Sequence, residues 1–87
     1  MKRIATLTVS VANPERLIFS GEAVQVAAWT QEGAIVILPH HTPYAAPLVA
    51  RRPLIITTPD GNTVCHEIGT EGGIVSVSGN TVHILLG

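Results

Sequence analysis

Apolar and polar residues alternate along most of this chain, and the alternation is cut repeatedly by glycine, proline and asparagine. In Leu7-Thr8-Val9-Ser10-Val11 every second side chain is apolar, the period-2 pattern of a strand with one buried face. A first strand is predicted over about Ile4 to Val11, ending at Asn13-Pro14. A second signal runs from Arg16 to Phe19 and stops at Ser20-Gly21, and Val24, Val26 and Ala28 share one face of a third. Ala34 to Leu38 is apolar without a break, so it reads as a strand buried on both faces, entered through a Glu32-Gly33 turn and ended by Pro39. Tyr44 to Ala50, rich in alanine and proline, is either a short edge strand or irregular. Pro53 to Thr58 and Thr63 to Ile68 flank Pro59-Asp60-Gly61-Asn62, whose residues suit a tight hairpin. Gly72-Gly73 opens a strand to about Val77, Gly79-Asn80 turns it, and Thr81 to Leu86 forms the returning arm. No segment sustains a 3.6-residue period. Strands at this spacing predict an all-β fold: a small two-sheet antiparallel β-sandwich of about 8–10 short strands, with residues 1–87 as a single domain.

A hydrophobic fraction of 46%, supplied mainly by Val, Ile, Leu and Ala, is enough for a core in so short a chain. Five basic against six acidic residues give a formal net charge of −1, and Phe19, Trp29 and Tyr44 make no stacking platform; both facts argue against a nucleic-acid partner. Cys65 stands alone, which excludes an internal disulfide and a zinc-type cysteine pair. Met1-Lys2-Arg3 before an apolar stretch has the outline of a secretory signal, but strict alternation from Thr6 to Val11 is a strand pattern. No apolar run approaches the ~20 residues that cross a bilayer as a helix, so a membrane link is expected only through another protein.

Candidate chemistry is sparse. His40 and His41 are adjacent and point to opposite sides of an extended segment, while His66 and His83 sit on separate hairpin arms, so no metal-ligand set is implied. Cys65 and His66 likewise face apart and make no nucleophile pair. Gly69-Thr70-Glu71-Gly72-Gly73 lacks the lysine and helix of a phosphate-binding loop. No catalytic residue, cofactor or metal is expected. Trp29 lies across the strand period from Val24 and Val26 and is read as core or as an interface anchor, core being favoured. The distinctive element is the corner Leu38-Pro39-His40-His41-Thr42-Pro43. Two prolines stiffen it, and stiff exposed loops on a β scaffold commonly bind partners.

Val11-x-Asn13-Pro14-Glu15, Phe19-Ser20-Gly21-Glu22, Val24-x-Val26, Glu32-Gly33-x-Ile35, Leu38-Pro39-x-His41-x-Pro43, Gly72-Gly73 and Gly79-Asn80-Thr81-Val82 follow one another over essentially the whole chain. In that order they resemble the N-terminal domain of the F-type ATP synthase epsilon subunit. The resemblance implies a flattened β-sandwich at the foot of the rotary central stalk, packed against the gamma subunit and resting on the c-ring. Its role would be to couple ion translocation to ATP synthesis without catalysing a reaction. Carried onto this sequence, it places Glu32, Ala34, His40, His41 and Thr42 at or near the ring contact. It further implies a peripheral location on the cytoplasmic face of a bacterial inner membrane. Family members usually continue into two C-terminal helices that inhibit ATP hydrolysis and in some cases bind ATP; with the present sequence ending at Gly87, neither property is expected of it. The family tends to carry an acid and a glycine where Ala34 and Val36 stand, and a small or polar residue where His40 stands. These departures keep open a second reading, an epsilon-like binding domain without a rotor role.

Overall fold

The computed structural model describes residues 5–87, so Ile4 and the charged start Met1-Lys2-Arg3 lie outside the described residues. Nine strands follow one another: β1 (Leu7–Ala12), β2 (Leu17–Ala23), β3 (Gln25–Thr30), β4 (Gly33–Ile37), β5 (Tyr44–Leu48), β6 (Pro53–Thr57), β7 (Thr63–Glu67), β8 (Gly73–Ser78) and β9 (Thr81–Leu86). They form one curled sheet in the order β2-β1-β9-β8-β5-β3-β6-β7, with β4 on β3. Every pairing is antiparallel except that of β1 with β9. The two layers expected of the sandwich are the two halves of this sheet, β2-β1-β9-β8-β5 and β4-β3-β6-β7. They join where β5 meets β3 at the single pair Thr30 and Leu48. Principal extents of 44 × 25 × 18 Å describe a slab, and its short dimension fits two sheets packed about 10 Å apart with their outer side chains.

The alternation that predicts the strands also fills the core. Leu7, Val9 and Val11 of β1, Val75 and Val77 of β8 and Val82, Ile84 and Leu86 of β9 point inward from one layer. Val26 and Ala28 of β3, Ile37 of β4 and Leu54 and Ile56 of β6 meet them from the other. Turn chemistry fixes the ends. The Asn13 side-chain oxygen accepts hydrogen bonds from the Glu15 and Arg16 amides at 2.9 and 2.8 Å, closing the β1–β2 connection. Glu22 accepts from the Thr6 hydroxyl at 2.9 Å across the same pair.

Three local expectations change. Ser20-Gly21 does not stop the second strand; β2 continues to Ala23 because Ser20 and Gly21 stay in register with Ser10 and Val9 of β1. β4 is not buried on both faces. Its inner face packs on the core and its outer face is left uncovered, so Ile37 is buried while Ala34, Val36 and Leu38 are exposed; among the described residues it pairs only with β3. Trp29 is not core: Val26, Ala28 and Thr30 claim the inner face of β3, and Trp29 lies half-buried on the outer one. The segment left open, Tyr44 to Ala50, contains a true strand that pairs with β8 along its length. Pro47 fits in it because β5 meets β3 only at Leu48, leaving most of that side as open as an edge.

At Gly73 there is no space for a side chain. A Cβ there would lie 2.8 Å from both the Leu85 carbonyl oxygen and Leu86 Cδ2, and the carbonyl cannot move without breaking the β8–β9 ladder. Gly73→Ala is therefore expected to destabilise the fold by about 1–3 kcal/mol, read as a lower denaturant midpoint with an unchanged slope.

The β6–β7 turn holds a carboxyl group whose acidity its neighbours change. Asp60 accepts from the Thr58 hydroxyl and from the Asn62 amide and side chain, and these donors hold its carboxyl below the ordinary carboxylate value. A depressed folded value means the carboxylate stabilises the fold above the unfolded carboxylate range, and that this contribution disappears as pH falls through the folded value. Asp60→Asn should lower the unfolding midpoint near pH 6. The gap between wild type and variant should narrow on acidification from about pH 4 downward.

Candidate functional site

The strand β4 and the segments at its two ends carry all five candidate residues. The β3–β4 hairpin turns at Gln31-Glu32, both exposed, and is braced by Thr30. The buried Thr30 hydroxyl donates to the Gly33 carbonyl at 3.3 Å and accepts from the Glu32 amide at 3.2 Å. Glu32 thus projects from a firm turn. Ala34 follows on the outer face of β4, opposite Trp29, and Val36 lies opposite Ala27.

At the far end, Leu38 to Pro43 link β4 in one layer to β5 in the other. The His41 amide donates to the Leu38 carbonyl at 3.1 Å. Its ring nitrogen Nδ1–H donates to the Thr42 carbonyl at 2.7 Å, and its ring packs edge-on to Tyr44 with centroids 6.0 Å apart. His41 is accordingly half-buried and held, whereas His40 and Thr42 are exposed. His40 has φ +66°, left-handed backbone that a residue with a side chain seldom adopts. Its amide donates to the side-chain oxygen of Asn80, at 2.7 Å.

These residues do not form one compact cluster. The length of β4, roughly 14 Å at strand rise, separates Glu32 and Ala34 from His40, His41 and Thr42. They mark two ends of an edge strand whose outer backbone is unpaired among the described residues, and Val36 and Leu38 lie exposed between them.

The sequence reading missed a second surface. Leu17, Ala12, Leu85, Ile74 and Pro47 are successive cross-strand partners on β2, β1, β9, β8 and β5. They form an outward apolar row about 19 Å long, in which Leu17, Leu85 and Ile74 are 59%, 62% and 55% exposed. The next row inward along the strands is polar on β2, β1, β9 and β8, with Ser20, Ser10, His83 and Ser76, and ends at Ala45 on β5. A signal was present in Ile84-Leu85-Leu86, where the apolar residue at the outward position breaks the alternation. Cys65 is exposed on β7, and His66, on the opposite face, is half-buried between the exposed Val64 and the buried Ile68. Among the described residues, no three His, Cys, Asp or Glu side chains converge as a metal site would require.

Fold and surface together define a small curled-sheet β-sandwich that presents an open strand edge and an apolar outer row. Residues 6–86 match the family model of the ATP synthase delta/epsilon chain, β-sandwich domain, and the chain belongs to that family. It is 39% identical over 82 residues to the ATP synthase epsilon chain of Rhodococcus jostii, covering 94% of this chain and 66% of that one. With the epsilon chain of Micrococcus luteus it shares 41% over 81 residues, covering 93% and 86%. The chain thus spans just under two thirds of the Rhodococcus relative. Its fold matches a chain in the Euglena gracilis mitochondrial ATP synthase, with TM-score 0.86, 19% identity and coverage of 94% of this chain and 51% of that one. A chain in the central stalk and c-ring structure of the Tetrahymena thermophila enzyme superposes with TM-score 0.66 at 21% identity, covering 98% and 64%.

On the outer face of β3 the Arg52 guanidinium lies over the Trp29 ring, 4.8 Å from its centroid. Trp29 is the sole tryptophan, so its emission reports this contact alone. Arg52→Ala is expected to cost about 0.5–1 kcal/mol and to red-shift the emission as water reaches the ring; an unshifted spectrum would contradict the stacking.

Proposed function

We propose that this domain is a non-catalytic central-stalk subunit of a rotary F-type ATP synthase. As a single sandwich it bridges the gamma subunit and the c-ring, so that ion translocation stays coupled to ATP synthesis. The observation that carries the reading is the family match along residues 6–86, joined to two distinct exposed surfaces. The β4 edge, with Glu32 and Ala34 at one end and His40, His41 and Thr42 at the other, is the side offered to the polar loops of the ring. A carboxylate and several exposed polar groups suit a wet contact there. The apolar row through Leu85 and Ile74 suits a drier, more permanent contact and is the side offered to gamma. Such a subunit sits peripherally on the cytoplasmic face of a bacterial inner membrane and is held there by its protein partners. It needs no cofactor.

The two surfaces can be separated by substitution at exposed positions that the core does not use. Leu85→Glu should weaken binding to the gamma subunit of the same organism by tenfold or more and leave ring contact intact. Val36→Arg should do the reverse, weakening capture of the assembled c-ring while gamma still binds. Light scattering of the mixed subunits after size exclusion reads both. If the unsubstituted chain forms no complex with folded gamma, the rotor assignment fails and an epsilon-like domain serving another protein partner takes its place.

A further inference from the structure

We propose that Asn80 is the positioning residue for the partner-facing end of β4: its side-chain oxygen holds the His40 backbone in the left-handed conformation and so fixes the shape of the 38–43 loop. The proposal rests on the reading of the β4 edge as partner-facing.

His40 and Asn80 are forty residues apart, and the bond from the His40 amide to Asn80 Oδ1 is 2.7 Å long. The loop's other backbone bond, from the His41 amide to the Leu38 carbonyl, is local and closes the loop on itself. The Asn80 bond ties its middle to the β8–β9 turn of the layer that β5 enters. A histidine at φ +66° pays a steric penalty from its Cβ, and such a conformation persists when its surroundings over-determine it. Asn80 supplies that determination because it is itself anchored. It lies in the β8–β9 turn beside Gly79 at φ +59°, and its own carbonyl accepts the Thr8 amide at 2.7 Å. The acceptor is thereby held jointly by β8, β9 and the start of β1.

A consequence is mechanical. Without Asn80 the loop would be fastened only through β4 in one layer and β5 in the other, and His40 would be free to relax to negative φ. The exposed His40 and Thr42 would then swing relative to the half-buried His41. With Asn80 in place, a force on the loop passes directly into the β1-β9-β8 ladder.

The test uses the whole chain with Asn80→Ala, Asn80→Gly and Asn80→Asp. Glycine removes the acceptor while accommodating any turn backbone, which guards against misfolding, and aspartate restores an acceptor oxygen at the same place. Hydrogen exchange by NMR reads the His40 amide, with the Val75 and Val82 amides as core controls. Affinity for the assembled c-ring alone is measured on the same samples. Exchange at His40 should quicken on the order of tenfold in the alanine and glycine variants, with affinity falling in parallel and both recovering in the aspartate variant. Unchanged exchange at His40 overturns the lock, and faster exchange with full affinity overturns its positioning role. Val36→Arg, run alongside, separates the two levels: if it too binds as wild type, the failure lies in the reading of the β4 edge.

Discussion

The sandwich depends on one strand serving three neighbours. β3 pairs with β4 along one edge and with β6 and then β5 along the other, and the passage from layer to layer happens at its last residue, Thr30. There the Val49 amide donates to the Trp29 carbonyl at 2.9 Å, which carries the ladder around the bend. Thr30 can occupy this buried position because its hydroxyl is spent on the adjacent turn and leaves no polar atom unpaired. A valine of the same shape would fill the space and leave the Glu32 amide without its partner. Sheet closure and the presentation of Glu32 are therefore consequences of the same side chain.

Much of the fold was legible because the strands that build the inner faces alternate cleanly. β1, β8 and β9 bury every second residue, and their turns advertise themselves through Asn13, Gly79 and Asn80. The hairpin of β6 and β7 closes where Thr58 bonds Asn62 around Pro59-Asp60-Gly61, with Gly61 supplying the positive φ. The site was less legible, for a reason that is physical. An apolar run such as Ala34 to Leu38 looks the same whether its second face is covered by the chain itself or left open. Periodicity reports hydrophobicity and is silent about what supplies the cover. Leu85 and Ile74 are illegible in the sequence on the same ground. Their significance lies in being cross-strand partners within a row of five, a property of register. The bond between His40 and Asn80 is likewise a matter of topology, since nothing local to either residue points to the other.

The parallel contact between β1 and β9 binds the first described strand to the last, with Val9 beside Val82 and Val11 beside Ile84. Most other pairings join segments closer along the chain. During synthesis β1 emerges with three apolar side chains that β2 can cover only at the edge. It then waits for some seventy residues to follow before its second neighbour exists. A domain closed in this way carries a high share of non-local contacts, which slows folding and prolongs the time in which an unpaired strand can seek a foreign partner.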